Sequence, residues 1–345
     1  LPVKGCAYEC VTCGSSHTTC THLTRRSRPV FRTPESLVAN VLNISRISRG
    51  PIVIPGDLLQ AGETYALAVL DGLRAARITN ELVFELFDLP PHGYLGEIDR
   101  CLPNWSFEIS PESHDHDVRI AQEGEPGYDN AAFESFLRDA LRCRCHRIDV
   151  FFMIGLPRQT YQSVLGTVDY CGRLFELADR RLNCFISPMG PFVDPGSRIF
   201  EQPERFGYRL FARTLEEHRQ LLVQPSWERI LNYETRWMSR AQLVDATYDA
   251  AEKLNLLKLR YGRISRQQAR AVSDRIAAAR RLRELLRQQG GTLESPAARE
   301  LRGEINRFSV STVCDKSELT WPRHVVNFHP LGILRSALAA RRSGL

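Results

Sequence analysis

"LPVKGCAYECVTC", residues 1–13, sets three thiols, Cys6, Cys10 and Cys13, at C-x3-C-x2-C spacing directly behind a short strand-like segment. Thiolates are ligands for soft and borderline metals. A structural zinc site wants four ligands, usually as two separated pairs, whereas the tight set here has three. His17, Cys20 and His22 are near enough in the chain to complete a zinc set, although their spacing matches no common zinc pattern. A [4Fe–4S] cluster also usually takes four cysteines. Three cysteines leave one iron without a protein ligand, open to a small molecule, by the logic that keeps catalytic zinc sites open.

Composition narrows the class. The chain has 345 residues, 43% hydrophobic and 25% charged, which suits a soluble globular protein with a large core or two domains. Its longest apolar runs are strand-sized, well short of the roughly 20 residues of a membrane span. No signal peptide opens the chain. It lacks an initiator Met, and we read the start as trimmed, with an upstream domain missing. The net charge of +6 permits an anionic partner without requiring one. Ten cysteines are too sparse for a disulfide scaffold. Reduced thiols in the cytoplasm are expected, and clustered reduced thiols point to metal rather than staples. No repeat of 20–50 residues is present.

Working outward, six apolar, β-rich segments recur: "LPVKG" (1–5), "GPIVIPGD" (50–57), "TNELVFELF" (79–87), "NWSFEIS" (104–110), "RIDVFFMIG" (147–155) and "LNCFISPMG" (182–190). Several read as strands buried on both faces. Helical patterns lie between them; one opens with Thr33 as N-cap and Pro34 at the first helical position. The alternation predicts a parallel α/β sheet, open or curled into a partial barrel, with its site at the carboxyl ends of the strands. After about residue 200 strand signals fade and helices dominate, up to a break over 288–296 and a tail with Pro322, Pro330 and little periodicity.

The cysteine spacing behind a first strand, followed by this alternation, resembles the radical S-adenosylmethionine (SAM) superfamily. The resemblance covers roughly residues 1–200. It implies a partial (β/α)6 TIM-like barrel over 1–200, with a mainly helical lid or substrate-side region over 201–345. It implies a [4Fe–4S] cluster on Cys6, Cys10 and Cys13, whose open iron chelates SAM for one-electron cleavage to a 5'-deoxyadenosyl radical. The family's aromatic residue before the third cysteine is Thr12 here.

Other loops extend the match. Gly56-Asp57 stands where the family holds the SAM amino group through a Gly-Gly-Glu-like stretch, with a shorter acid; a strand-ending turn is the plainer reading. Glu112 and Ser113 match the element near the SAM ribose and carboxylate, with His114 replacing the usual glycine. Arg119 on the next helix suits a bidentate carboxylate contact. "SPESHD" also reads as a helix-capping sequence. His114 and His116 read as solvated. In "GLPRQT", Gly155 lets the backbone approach a ligand and Pro157 fixes the turn, for adenine. "SPMGPFVDPGS" (187–197) matches the family's Pro- and Gly-rich loop, with no role assigned to Met189 or Asp194.

"GCAYECVTCGSS", "SPES…DVR" and "GLPRQT" together look most like the cobalamin-binding group, which implies methyl transfer with cobalamin held by a domain outside this chain. A flavodoxin or ferredoxin is the implied electron donor, and a small molecule the substrate. The remaining cysteines form no second cluster motif. Arg266, Arg270, Arg275, Arg280, Arg281, Arg283 and Arg287 make a basic helix. Without interleaved aromatics it reads as solvated rather than RNA-binding. The alternative from another class is a zinc-stabilised protein using the same cysteines with Cys20 or His22, its basic helix on nucleic acid.

Overall fold

The computed structural model describes residues 1–124, 127–177, 180–288, 296–307, 314–319 and 328–342. The chain opens with β1 (Val3–Lys4), α1 (His17–Thr24), β2 (Val30–Phe31) and α2 (Pro34–Ile47). Then β3 (Ile52–Ile54), α3 (Glu63–Ala75), β4 (Leu82–Leu86), α4 (Tyr94–Cys101) and β5 (Trp105–Glu112) alternate. They are followed by α5 (His116–Ile120), α6 (Asn130–Arg142), β6 (Ile148–Ile154), α7 (Tyr161–Leu177) and β7 (Leu182–Pro188). The five strands β3 to β7 form one parallel sheet in chain order.

The expected α/β architecture is therefore present, with a mainly helical region after it. The first apolar segment departs from the expectation. Val3 and Lys4 pair antiparallel with Phe31 and Val30, outside the parallel sheet. Gly5, at φ +92°, turns the chain into the cysteine loop after two residues, so no strand long enough to extend the sheet remains.

Buried apolar residues stand on both faces of the sheet, Val83 and Phe185 on the second, yet the two faces differ in chemistry. One face carries Ile52, Leu82, Phe84, Trp105, Phe107, Ile109, Ile148, Val150, Leu182 and Cys184, all buried. It joins Leu70 and Leu73 of α3, Phe133 and Leu137 of α6, and Val164 and Val168 of α7 in one core. The opposite face carries Glu85, Glu108, Asp149 and Asn183, successive partners in register across β4, β5, β6 and β7. Alternation of period two separates the faces: the first binds the helices, the second turns toward a cavity.

Local signals behave as their chemistry dictates. Thr33 caps α2 by accepting from Ser36 N, with Pro34 at the helix start. Asp115 caps α5 by accepting from Asp117 N.

Beyond residue 200 come α8 (Arg198–Glu201), β8 (Tyr208–Leu210), α9 (Leu215–Leu222), α10 (Trp227–Ile230), β9 (Tyr233–Thr235), α11 (Arg240–Arg260) and α12 (Arg266–Gln288). β8 and β9 form an antiparallel ribbon that the fading strand signal did not suggest. The core runs unbroken from Val11 to Ala279, so the packing shows no seam at residue 200. Of the apolar residues at helical spacing on α12, Val272, Ile276 and Ala279 join it, while Leu286 packs with Leu282 in a separate small cluster. α13 (Pro296–Arg307) and α14 (Pro330–Arg342) follow. α14 begins at Pro330, a residue suited to the first helical turn. The turn expected at Pro126, the break over 289–295 and Pro322 lie outside the described residues.

The basic helix spends much of its charge internally. Arg280 pairs with Asp249 at 2.5 Å, Arg283 with Glu228 and Asp245, and Arg287 with Glu228 at 3.4 Å. Arg275 donates to the Cys314 carbonyl at 3.3 Å. Among the described residues no helix is long and apolar enough to cross a membrane.

Candidate active site

The cysteine loop is fastened from both sides. Ala7 N donates to Gln60 Oε1 at 2.9 Å, and the Cys6 thiol to the same oxygen at 3.3 Å. Gly14 N donates to Asp194 Oδ2 at 3.0 Å. Within the loop, Tyr8 N donates to Cys6 Sγ at 3.4 Å and Ser15 N to Cys13 Sγ at 3.3 Å.

Cys6, Cys10 and Cys13 border a cavity of about 840 Å³. Its other walls come from the carboxyl ends of the strands: Gly56 after β3, Phe87 after β4, Glu112 of β5, Met153 of β6 and Met189 after β7. This is where parallel α/β folds place their sites.

Cys20 also borders the cavity, its thiol donating to the Ser15 carbonyl at 3.5 Å. His17 is engaged elsewhere, with Nδ1 2.7 Å from Glu9 and Nε2 3.0 Å from the Ser27 carbonyl. Among the described residues no three His, Cys, Asp or Glu side chains stand close enough to share one metal ion.

Gly56, at φ +93°, lies in the cavity wall with Val3 packed against it. Asp57 faces away from that role. Its Oδ1 accepts from Leu59 N at 2.8 Å and its Oδ2 from Phe87 N at 3.0 Å, capping a short 3-10 turn, Leu58–Ala61. The acid that meets Gly56 is Glu85, whose Oε2 accepts from Gly56 N at 2.5 Å.

Glu112 borders the cavity at φ +64°, where the β5–β6 register shifts. A non-glycine residue held in left-handed backbone at a bulge re-aims its side chain, a device that clusters at functional sites. Ser113 is buried behind it, its Oγ accepting from Asp115 N at 3.1 Å.

Arg119 does not reach the cavity wall. Its guanidinium is buried and donates to the carbonyls of Ser113 at 2.8 Å and Tyr128 at 2.6 Å, and to Asn130 Oδ1. It braces the loop that presents Glu112. His114 is likewise turned away, with Nδ1 2.9 Å from Thr167 Oγ1 and its ring stacked on Tyr170. Burial lowers its pKa. His116 is exposed at the start of α5.

Gly155, at φ +98°, serves close packing. A Cβ there would lie 2.7 Å from the Tyr233 hydroxyl. Its carbonyl accepts from Tyr208 Oη at 2.6 Å and its N–H donates to Gln159 Oε1 at 2.7 Å. Pro157 is buried in the same turn. Neither lines the cavity; Met153, just ahead of them, does.

The loop after β7 supplies Met189, Phe192, Val193 and Asp194 to the cavity. Asn232, before β9, holds it by accepting from Val193 N at 2.9 Å and donating to the Pro191 carbonyl at 2.8 Å. His218 supports Asn232: its Nδ1–H donates to the Thr214 carbonyl at 2.7 Å, leaving Nε2 to accept from the Asn232 amide at 3.0 Å.

The cavity residues that sequence reasoning missed include Tyr8, Gln60, Glu85 and Glu108. A signal existed for the two acids. Each sits mid-strand, in "ELVFELF" and "NWSFEIS", where glutamate is depleted and a buried charge is costly. Burial first, then the charges of Glu85 and Asp149, push the Glu108 carboxyl up to about 7. Burial and then the charges of Asp57 and Asp88 push the Tyr8 phenol up.

No family model matches the chain, and no curated protein matches it. Among solved structures the chain is similar to the radical SAM methyltransferase TsrM from Kitasatospora setae, with tryptophan substrate and a SAM analogue bound. The identity is 14%, the match covers 61% of this chain and 40% of that one, and the TM-score is 0.46. A second structure of that enzyme, with cobalamin and a [4Fe–4S] cluster, matches at 15% identity, 61% and 41% coverage, and TM-score 0.43. Coproporphyrinogen III oxidase from Escherichia coli, described as a radical SAM enzyme, matches at 14% identity, 59% and 55% coverage, and TM-score 0.34. The chain spans about two-fifths of the length of the first of these proteins.

Proposed function

We propose that this chain is a radical SAM enzyme core, with a [4Fe–4S] cluster on Cys6, Cys10 and Cys13 and SAM in the adjoining cavity. The observation that carries this reading is that these three thiols share one cavity with Gly56 and Glu112. The donor set fits the group: three sulfurs, two of them receiving backbone N–H groups, in a loop fastened by Gln60 and Asp194. When bound, the cluster supplies one-electron cleavage of SAM to methionine and a 5'-deoxyadenosyl radical.

The protein's own residues position and shield. Gly56 lets the backbone approach the methionine moiety. Glu112 offers two acceptor oxygens for the ribose hydroxyls. Ser113, Arg119, Gly155 and Pro157 hold the loops that frame these contacts, and Asp57 holds Gly56 through its cap. Phe87, Phe151, Met153, Met189 and Phe192 keep water from the reacting atoms. An external flavodoxin or ferredoxin supplies the electron, and the reducing cytoplasm suits the thiolates. Methyl transfer with cobalamin held outside the described residues is the finer form of this reading, supported by the motif resemblance.

The test is anaerobic reconstitution with iron and sulfide, reduction, addition of SAM and measurement of 5'-deoxyadenosine. Cys10→Ala abolishes iron uptake while the circular dichroism spectrum is kept, and Cys20→Ser retains the cluster. A colourless, zinc-loaded protein that never cleaves SAM sinks the reading.

A further inference from the structure

One wall of the cavity is not used by the SAM contacts above. Glu85 of β4 and Glu108 of β5 are direct partners in parallel register, so their side chains leave the same face of the sheet side by side. Both border the cavity. Like charges set directly opposite across two strands repel, and the protein relieves this pair only in part. Glu85 accepts the Gly56 N–H at 2.5 Å. Glu108 has no hydrogen bond or ion pair among the described residues. Arg147, whose charge reaches Glu108, is engaged by Asp149 at 2.8 Å and by the Glu318 carbonyl. The raised pKa of Glu108 agrees with this geometry: it is how an acid responds when it is partly desolvated beside other acids with no counter-charge of its own.

The rest of the cavity lining is of a different kind. Tyr8, Phe87, Phe151 and Phe192 are aromatic, and Met153 and Met189 are thioethers. Phe151 is itself backed by Phe185, stacked with centroids 5.0 Å apart. Aromatic faces attract a cation through their quadrupole and enclose an apolar body. A neutral molecule in this space would leave Glu108 without a partner and Glu85 with the Gly56 N–H alone. A cation would relieve both.

We propose that the cavity takes a substrate with a cationic nitrogen on an apolar or aromatic body, the nitrogen seated between Glu85 and Glu108, with Glu108 as the specificity-determining residue. The proposal deepens the radical SAM reading and rests on it for the reaction; the subsite itself is built by β4 and β5. In this seat the substrate N–H groups donate to Glu108 and to Glu85, and the body lies against Phe151.

SAM is also a cation, so the test must separate the two. The full chain is titrated calorimetrically at about pH 8, above the Glu108 pKa, with phenethylamine and with 2-phenylethanol, its uncharged counterpart. SAM binding is followed by equilibrium dialysis and iron by colorimetric assay. The wild type binds the amine at least about tenfold more tightly than the alcohol. Glu108→Gln brings the two affinities together with SAM binding and iron content kept, and Glu108→Asp retains part of the preference. Both probes are read on each variant, so a general loss of structure lowers both alike and does not mimic the result. Equal affinities in the wild type, or no binding of either probe up to roughly 10 mM, overturn the proposal. A Glu108→Gln variant that loses SAM and keeps the amine preference also overturns it and assigns the pair to SAM. Failure of the radical SAM reading is separate: iron uptake and 5'-deoxyadenosine are then absent while the amine preference persists.

Discussion

Asp194 Oδ2 accepts the backbone N–H of Gly14 at 3.0 Å, joining the loop after β7 to the loop that carries the three cysteines. A Cβ on Gly14 would lie 2.9 Å from Asp194 Cβ, so the two segments meet without room for a side chain. Asp194→Ala removes the acceptor. Because Asp194 is exposed, the loss of stability is modest, about 1 kcal/mol. The larger effect falls on the loop: on the proposed function, after reconstitution with iron and sulfide, the variant releases iron to a chelator faster than the wild type, with a nearly unchanged melting temperature. Equal release rates would remove Asp194 from the support of the cysteine loop.

Arg119 offers a sharper choice between two roles. As a brace it holds Ser113, Tyr128 and Asn130 together beneath Glu112. Arg119→Lys keeps the charge and loses the fork geometry. We expect thermal stability to fall by about 2–3 kcal/mol, from buried acceptors left unsatisfied, with SAM affinity falling alongside it. A direct SAM ligand would instead lose affinity at unchanged stability. Denaturant titration and equilibrium dialysis on one preparation distinguish them.

Gly155 and Tyr233 form a testable pair. Gly155→Ala adds left-handed backbone strain of about 1–2 kcal/mol and a clash with the Tyr233 hydroxyl, 2.7 Å from the new Cβ. Tyr233→Phe removes the clashing oxygen and leaves the strain. The double variant is therefore more stable than Gly155→Ala alone, yet below the wild type. A double-mutant cycle by chemical denaturation measures the coupling; strictly additive values would mean that the close approach carries no energy.

Glu108 sets a pH dependence. Burial, Glu85 and Asp149 raise its carboxyl from 4.5 to about 7, with Arg147 opposing. Between these values the folded state holds a proton that the unfolded state has released. Its contribution to stability is complete below 4.5 and is lost as pH rises through about 7. Glu108→Gln, which cannot ionise, flattens this decline. It is more stable than the wild type at about pH 8, and the difference shrinks toward about pH 4. Unfolding midpoints across that range check the sign; a wild type that gains from Glu108 at high pH would contradict it.

Local chemistry is legible in the sequence because it acts over a few residues. Thr33 and Pro34 start α2 as their residue types dictate. The alternation of apolar segments and helical patterns predicts a parallel sheet, and five strands form one. The cysteine spacing announces a shared site, and Cys6, Cys10 and Cys13 border one cavity. The acid beside Gly56 was not legible. Asp57 is its neighbour in the chain, but the carboxylate that meets its N–H is Glu85, delivered by the next strand. Arg119 was equally hidden, because its partners depend on how the segment after α5 folds back.

The periodicities, the caps, the strand-ending turns and the three clustered thiols follow from residue type and spacing along one segment. Which carboxylates stand together depends on long-range packing. Strand register brought Glu85 and Asp149 to either side of Glu108, where Asp149 also meets Arg147, two residues before it in the chain. Register comes from packing a whole face against helices, and a slip of one residue would turn these acids into the core.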